Sequence, residues 1–515
     1  MTVAKLMLTI TGAAVLIAGM GSASLAQTRV TTTDEDFSED ALFLETDPVD
    51  ADSFETDLFE PIDLDDIELD EPSPEEGLSE PELPVVETPS PYQEQFAAGV
   101  AQYRAGNYEA ALQLFEAVTV AEPDYAPAYL FQGASLARLE QTTAALASYG
   151  TAISLNSAYS AAYLNRGVLY YEQGQLERAL DDFDRAIATD PTSGKAYIYR
   201  GYLDAQLGNY ESALSDLNDA VALAPQSSEA YFHRGLLHKL LEDFDAAIAD
   251  FSQAIELQSD YPEAYVNRGV AYYRTGENEL AEQDLDRALE LDAENPETLY
   301  NLSFVVAAQG RPTAAISFLT QLLEVAPDYG EAYLSRGGLY AGQGNTSAAL
   351  ADFTRAIELM PNSQAAYYSR GQLLLATDSA AEAIDDFTAA ISIEPMAAEV
   401  YKARGDAYAM AGSSQNALED YTVAIDLVPD YSGAYAERGR LRYEIGDYQG
   451  AYGDLSQVVS LDGFDPDAFY YRGITNARLG NLTAAQADLE RAGALYLTTN
   501  EAERYRLVLD ALSKI

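Results

Sequence analysis

Arginine and aspartate recur together along most of this chain, and their spacing is the most regular among its charged residues. Nine arginines are each followed, 16 residues later, by an aspartate. The pairs are Arg166 and Asp182, Arg200 and Asp216, Arg234 and Asp250, Arg268 and Asp284, Arg336 and Asp352, Arg370 and Asp386, Arg404 and Asp420, Arg438 and Asp454, and Arg472 and Asp488. Such arginines could bind phosphate or carboxylate groups, but a guanidinium that already faces a carboxylate is usually structural. Because both residues are present or absent together, the sequence predicts structural ion pairs.

Few other residues are of types that could catalyse a reaction or bind a metal ion. The two histidines, His233 and His238, are five residues apart and would point to different faces of a helix, so they cannot share a metal ion. The chain has no cysteine, which excludes disulfides, thiolate metal sites and cysteine nucleophiles. No nucleophile turn, phosphate-binding loop or metal motif occurs. We therefore predict no catalytic residue, no metal site, no cofactor and no enzymatic activity.

The segments that must position the ion pairs repeat every 34 residues. Numbering each repeat so that its recurrent glycine is position 8, the glycines run in register from Gly99 to Gly473, and Ser303 fills the one exception. Position 4 is usually aromatic, position 15 often glycine, position 20 mostly alanine, position 24 aromatic or leucine, and position 32 often proline. Small residues let two helices approach closely, glycine permits the turn between them, and proline ends the second helix. Each repeat is therefore predicted to be a hairpin of helices A and B, with the arginine on A and the aspartate on B.

This pattern resembles the tetratricopeptide repeat family over roughly residues 92–499, in twelve copies. The resemblance implies an all-α fold, a right-handed α-solenoid of twelve helical hairpins. Departures from the family pattern are tyrosine at position 4 instead of tryptophan, arginine at position 7, and a degenerate seventh repeat. In residues 500–515, Tyr505, Val508 and Leu512 recur at helical spacing, which predicts a helix that caps the open end of the stack.

The resemblance also implies that helices A line a concave groove, through positions 2, 5, 6, 9, 12 and 13. Many of these positions hold apolar, aromatic or amide side chains: Leu164, Val168, Tyr171, Ile198, Tyr202, Phe232, Leu236, Val266, Val270, Tyr273, Tyr300, Asn301 and Phe304. Such a surface suits an extended or helical peptide. Packing between repeats explains the same residues equally well.

The seventh repeat, residues 296–329, carries Leu302, Ser303 and Phe318 where other repeats have arginine, glycine and aspartate. One interpretation is drift, because an apolar pair can replace a buried ion pair at little cost. The other is that serine widens the hairpin, which makes this repeat a local bend and the centre of the partner site.

The chain is strongly acidic, with 84 acidic and 29 basic residues and a formal net charge of −55. A polyanion repels nucleic acid and anionic lipid surfaces, so a protein or peptide partner is expected instead. Position 2 is acidic in six repeats: Glu229, Glu263, Glu297, Glu331, Glu399 and Asp467. These carboxylates either form a rim that selects a basic partner or complement the helix dipole, and the second interpretation is favoured.

Residues 1–26 have the layout of a signal peptide. Lys5 precedes an apolar run, and Ser24 and Ala26 are small residues placed for cleavage before Gln27. We therefore expect export to the periplasm or the extracellular space, with no membrane insertion after cleavage. The alternative is an uncleaved membrane anchor, since the apolar run is nearly long enough to span a bilayer.

Residues 27–91 differ in composition from the repeats. Between residues 31 and 94 there are 24 acidic residues and no basic one, and prolines recur. This composition predicts a disordered linker. The phenylalanines and leucines within it could form short motifs that fold on binding, or the segment could be a solvated spacer.

These features together predict an exported, non-catalytic scaffold or assembly factor that binds a partner polypeptide in the concave groove. Two alternatives remain: a chaperone-like holder of exported clients, and a structural or cation-binding component of the cell envelope.

Overall fold

The computed structural model of the protein describes residues 91–499 and 501–515, and every regular element in these ranges is an α-helix. The predicted all-α architecture of successive helical hairpins is confirmed there. The predicted signal peptide, and all but the last residue of the predicted linker, lie outside the described residues. None of the helices in the described ranges combines the length and the apolar character that crossing a bilayer requires.

Residues 91–412 belong to one compact unit of nine helical hairpins and a further helix. Its helices are α1 (Pro91–Arg104), α2 (Tyr108–Ala121), α3 (Ala126–Arg138), α4 (Thr142–Leu155), α5 (Ser160–Glu172), α6 (Leu176–Thr189), α7 (Gly194–Gln206), α8 (Tyr210–Leu223), α9 (Ser228–Leu240), α10 (Phe244–Leu257), α11 (Pro262–Arg274), α12 (Asn278–Leu291), α13 (Pro296–Ala308), α14 (Pro312–Val325), α15 (Gly330–Gly342), α16 (Thr346–Leu359), α17 (Gln364–Ala376), α18 (Ala380–Ile393) and α19 (Ala398–Met410). Odd numbers are helices A and even numbers are helices B.

The described residues from 413 onward belong to a second compact unit. Its helices are α20 (Ser414–Leu427), α21 (Ser432–Glu444), α22 (Tyr448–Leu461), α23 (Pro466–Arg478), α24 (Leu482–Thr498) and α25 (Ala502–Leu512). Helices α21 to α24 form two hairpins, and α25 packs on α24. In the sequence, α19 and α20 are helices A and B of the tenth repeat.

The turn between helices A and B requires a left-handed backbone conformation at position 15. Nine glycines occupy this position with φ between 68° and 87°. In the other three repeats Glu140, Glu242 and Asp378 adopt φ of 56–60°. Residues other than glycine enter this region at a cost, so the turn geometry is maintained by the packing of the hairpin where glycine is missing.

The glycine at position 8 allows helix A to lie directly against the side chain at position 24 of helix B. A Cβ added to Gly235 would lie 2.7 Å from the ring of Phe251, and one added to Gly439 would lie 3.0 Å from Cγ of Leu455. Real Cβ atoms do not approach an aromatic ring that closely, so glycine is needed for this helix separation.

Helix α25 covers the end of the last hairpin, as predicted for the C-terminal segment. Val508 is buried against α24 together with Tyr496. The hydroxyl of Tyr496 donates to Asp467, and Arg504 of α25 donates to the same carboxylate at 3.1 Å. The cap is therefore attached by both apolar and ionic contacts.

Candidate partner-binding surface

In eight of the nine arginine–aspartate pairs both residues belong to the same compact unit, and all eight pairs have the same geometry. In each, Nε and Nη2 of the arginine on helix A donate to the two carboxylate oxygens of the aspartate on helix B, over 2.6–3.0 Å. This is the intra-repeat pairing that the sequence predicts. The aspartates are buried and the arginines about one-fifth exposed. Arg404 and Asp420 fall in different units, and their pairing stays a prediction.

Seven of the nine arginines have a further hydrogen bond that was not predicted from the sequence. Nη1 donates to a polar side chain at position 25 of the preceding repeat's helix B. The acceptors are Asp184 for Arg200, Asn218 for Arg234, Ser252 for Arg268, Thr320 for Arg336, Thr354 for Arg370, Thr388 for Arg404 and Thr422 for Arg438, at 2.7–3.1 Å. A polar residue at position 25 was the available signal. Each of these seven guanidiniums therefore links two consecutive repeats. At the other two junctions position 25 is Gly150, before Arg166, and Ser456, before Arg472, whose hydroxyl has no hydrogen-bond partner within the described ranges.

The arginine also lies over the aromatic ring at position 4 of its own helix. The distance from the guanidinium carbon to the ring centroid is 5.3–5.7 Å in eight repeats. Hydrogen bonding to Asp182 is the main cause that raises the pKa of Arg166 above its ordinary value. With its donors and one face engaged, the guanidinium has a structural role.

The structure corrects the expectation that the predicted groove residues form an open surface. Nine of the thirteen are buried: Val168, Ile198, Tyr202, Phe232, Leu236, Val266, Val270, Tyr300 and Asn301. Leu164, Tyr171, Tyr273 and Phe304 are half-buried. A side chain with almost no exposed area cannot contact a partner. The nine buried residues therefore serve packing between repeats. A binding role for the other four stays a prediction.

The physical reason is the packing of consecutive helices A. The Tyr171 and Tyr202 rings of α5 and α7 lie 6.0 Å apart edge to face, and Tyr202 meets His233 of α9 at 5.9 Å. Within each unit, consecutive helices A contact one another more closely than consecutive helices B do. Helices A therefore lie on the inner side of each junction, and their facing side chains cover one another.

Helices A keep some partly exposed apolar side chains and some exposed carboxylates. Tyr171, Tyr273 and Phe304 are half-buried, and so are Tyr368 and Leu375 of α17, at positions 5 and 12. Tyr368 and Leu375 were not predicted from the sequence, although they occupy the same repeat positions as the predicted residues. Among the acids at position 2, Glu263, Glu331 and Glu399 are exposed, at the start of α11, α15 and α19.

The two histidines lie in different surroundings. His233 is buried between the rings of Tyr202 and Phe232, and burial lowers its pKa to about 4. His238 is half-buried, with Nε2 3.9 Å from Asp250 and Nδ1 3.9 Å from Asp243. No group of three or more histidine or carboxylate side chains in the described ranges could hold a metal ion.

Family models match the chain along most of the repeat region. Models described as tetratricopeptide repeat match residues 96–149, 160–193, 262–295, 305–364, 339–395, 368–432 and 437–495, and a model described as TPR repeat matches 133–174 and 240–276. Together these matches cover more than half of the chain. The chain belongs to the tetratricopeptide repeat family. Proteins of this family are generally interaction scaffolds without catalytic activity.

Solved tetratricopeptide repeat structures resemble this one. The APC/C hetero-tetramer Cut9–Hcn1 matches with 13% identity and a TM-score of 0.41, over 82% of this chain and 97% of that one. Yeast Tom70 matches with 17% identity and a TM-score of 0.36, over 76% and 96%. YrrB, described as a TPR protein with an unusual peptide-binding site, matches with 25% identity and a TM-score of 0.31, over 36% and 96%. No curated protein sequence matches the chain.

In the seventh tetratricopeptide repeat an apolar contact replaces the arginine–aspartate ion pair of the neighbouring repeats. Leu302 is fully buried, with Phe318 packed against the same cluster. Ser303 donates from its hydroxyl to the carbonyl oxygen of Tyr300 at 2.6 Å. Tyr300 lies against Phe304 and Tyr329, with ring centroids 4.9 and 5.3 Å apart. Of the three groove residues predicted in this repeat, Tyr300 and Asn301 are buried and Phe304 is half-buried. The role of this repeat as the centre of the partner site stays a hypothesis.

Proposed function

We propose that this protein is an exported, non-catalytic scaffold that binds a partner polypeptide along its helices A. The observation that carries the proposal is the row of half-buried aromatic edges on the inner side of the junctions. Tyr171, Tyr273, Phe304 and Tyr368 each expose part of a ring on helix A. Tyrosine supplies contact area with little loss of rotamer freedom, and its hydroxyl can bond to a peptide backbone.

The charge on this face favours a partner segment with basic residues. Glu263, Glu331 and Glu399 are exposed in the first turns of three helices A. A basic peptide would place its cations near these carboxylates while its apolar side chains contact the rings. Rim charges of this kind mainly accelerate association and select partners, so we expect binding to weaken as salt concentration rises.

Photo-crosslinking can test the binding face directly. A photoreactive residue is placed at Tyr273 on α11, and in a matched variant at Gln283, which is exposed on α12 of the same hairpin. The proposal expects a discrete crosslinked partner from position 273 and none from position 283. Equal crosslinking from both positions, or a discrete partner only from helix B, would reject the assignment to helices A.

Export is proposed from the sequence pattern of residues 1–26. The mature protein isolated from its host should begin at Gln27, which mass spectrometry of the N-terminal peptide measures. A chain that starts at Met1 and stays with the membrane fraction would support the uncleaved anchor instead. A chain that starts at Met1 and is recovered from the soluble cytoplasmic fraction would reject export without affecting the binding proposal.

A further inference from the structure

The hydrogen bond from arginine Nη1 to position 25 is present at all but one of the junctions between the third and tenth repeats. Arg268, for example, holds Ser252 of the fifth repeat at 3.0 Å while it pairs with Asp284 of the sixth. A planar guanidinium that bonds to two helices in fixed directions sets the orientation of one repeat against the next.

The exception is the junction between the sixth and seventh repeats. Position 7 of the seventh repeat is Leu302, which cannot donate to Asp286, the residue at position 25 of the sixth. No hydrogen bond or ion pair to Asp286 is present within the described ranges. Burial first, and then the neighbouring Glu282, raise the pKa of Asp286 above its ordinary value. Asp286 therefore lacks the hydrogen bond from position 7 that the equivalent residues at seven other junctions accept. The only arginine among the described residues that acts on its pKa is Arg311, which lowers it less than burial and Glu282 raise it.

Apolar packing, one ion pair and one hydrogen bond near the A–B turns hold this junction instead, the hydrogen bond running from Nε2 of Gln309 to the carbonyl oxygen of Asn278 at 3.2 Å. Leu302, Val305 and Phe318 pack with Val266 and Leu285 of the sixth repeat. Apolar contact is non-directional, so it holds the two repeats together without selecting one angle between them. Arg311 donates to Glu282 at 2.7 Å, but its side chain is 49% exposed. An exposed pair of this kind contributes little orientation or stability.

Asn301 lies on α13, the helix A of the seventh repeat. Its side chain is 1% exposed, and neither Nδ2 nor Oδ1 has a hydrogen-bond partner within the described part of the chain. A buried amide without partners is unfavourable by roughly 1–3 kcal/mol for each group. This arrangement of α13 is therefore not held by polar contacts at Asn301 either.

We propose that the junction between the sixth and seventh repeats is a hinge built into the array. Its repeats remain in apolar contact but rotate against each other, because the guanidinium that links consecutive repeats at seven other junctions is replaced by Leu302. Rotation at this point changes the spacing between α11 and α13, and thus between Tyr273 and Phe304 on the inner side. The hinge is a property of the free protein and does not depend on the identity of a partner.

Spin-label distance measurements test the hinge, and the absence of native cysteine makes the labelling unambiguous. Labels are placed on cysteines that replace exposed residues at position 22 of consecutive helices B, on α10, α12, α14 and α16. The pair Gln283→Cys/Ser317→Cys spans the proposed hinge. The control pairs, Ala249→Cys/Gln283→Cys and Ser317→Cys/Ala351→Cys, span the junctions on either side. We expect the distance distribution across the hinge to be about twofold wider than either control.

Two exchanges of residues complete the test. Leu302→Arg with Phe318→Asp restores the pattern of the other repeats, gives Asp286 its arginine, and should narrow the hinge distribution to the control width. Arg336→Leu with Asp352→Phe removes the arginine from the next junction and should widen the 317–351 distribution. Equal widths at all three junctions in the unaltered array would overturn the proposal. So would a 317–351 distribution that stays narrow after Arg336 is removed from a folded array.

Discussion

Arg268 on α11 donates through Nε and Nη2 to the two carboxylate oxygens of Asp284 on α12, at 2.7 Å each. Asp284 is buried, and the third hydrogen bond of Arg268 reaches Ser252 in the preceding repeat at 3.0 Å. The contact therefore joins the two helices of one hairpin and also joins that hairpin to its neighbour. The same arrangement recurs along the array, so the stability of individual repeats and the coupling between them depend on one residue type.

Replacing Arg268 by alanine should lower the free energy of unfolding by about 2–4 kcal/mol, because Asp284 would be left buried without its partner. The double variant with Asp284→Ala should recover part of this loss. Chemical denaturation of the original protein, the two single variants and the double variant measures the coupling free energy between Arg268 and Asp284. Strict additivity of the two single changes would contradict the pairing within the repeat.

The contact between repeats can be isolated with Thr320→Val. Thr320 donates to the carbonyl of Ile316 and accepts from Arg336 Nη1 at 3.1 Å. The matched control is Thr151→Val, since Thr151 also donates to the carbonyl four residues earlier but contacts no arginine in the described structure. We expect Thr320→Val to cost about 1 kcal/mol more than the control in denaturation experiments. Equal costs would show that the contact between repeats contributes no stability.

Two glycine-to-alanine substitutions should change the free energy of unfolding in opposite directions. In Gly235→Ala the new Cβ would meet the ring of Phe251 at 2.7 Å, so we expect a loss of about 1–3 kcal/mol from overpacking. In Gly453→Ala, within α22, nothing lies within 4 Å of the new Cβ and the backbone is helical, so we expect a gain of about 0.5–1 kcal/mol. Thermal and chemical denaturation measure both. A stabilising change at position 235 would refute the close approach of helices α9 and α10.

His233 should make the array less stable in mild acid. Its folded pKa of about 4 lies below the ordinary 6.5, so the unfolded chain binds a proton at a pH where the folded chain does not. The stability from neutral His233 is complete above pH 6.5 and is lost as pH falls toward 4, by up to about 3 kcal/mol. His233→Phe removes this dependence. Denaturation midpoints are measured at constant high salt. Between pH 6.5 and 4.5 the stability of His233→Phe should increase relative to that of the original protein. A stability difference that does not change with pH would contradict a lowered pKa of His233.

The repeats should fold without the acidic segment. The first helix is held by contacts within the repeats, where Phe96 meets Phe115, Tyr125 and Phe131 at 5.2–5.7 Å between ring centroids. A chain of residues 91–515 should keep its helical circular dichroism and melt like residues 27–515. A control that starts at residue 105 removes Phe96, exposes Phe115 and Phe131, and should lose stability. A lower melting point in the first truncation would show that residues 27–90 contribute to the fold.

The sequence alone determined the hairpins, their turns and the partners of the ion pairs. These features depend on residues close together in the chain, and the repeats supply internal comparison, since Arg268 and Asp284 occur together and Leu302 and Phe318 replace them together. The glycine at position 15 likewise specifies a local backbone conformation, which needs no information from distant residues. For the same reason the cap helix was predictable from the spacing of its apolar residues.

Only the tertiary structure decided which side chains are exposed and how neighbouring repeats are joined. Ile198, Phe232 and Tyr300 have residue types that suit either a binding surface or a core, and their burial follows from how closely consecutive helices A pack. The hydrogen bond from Arg336 to Thr320 depends on the position of the next repeat, which the 34-residue pattern does not specify. Exposure and contacts between repeats are set by distances between residues far apart in sequence, so they became visible only once the hairpins were stacked.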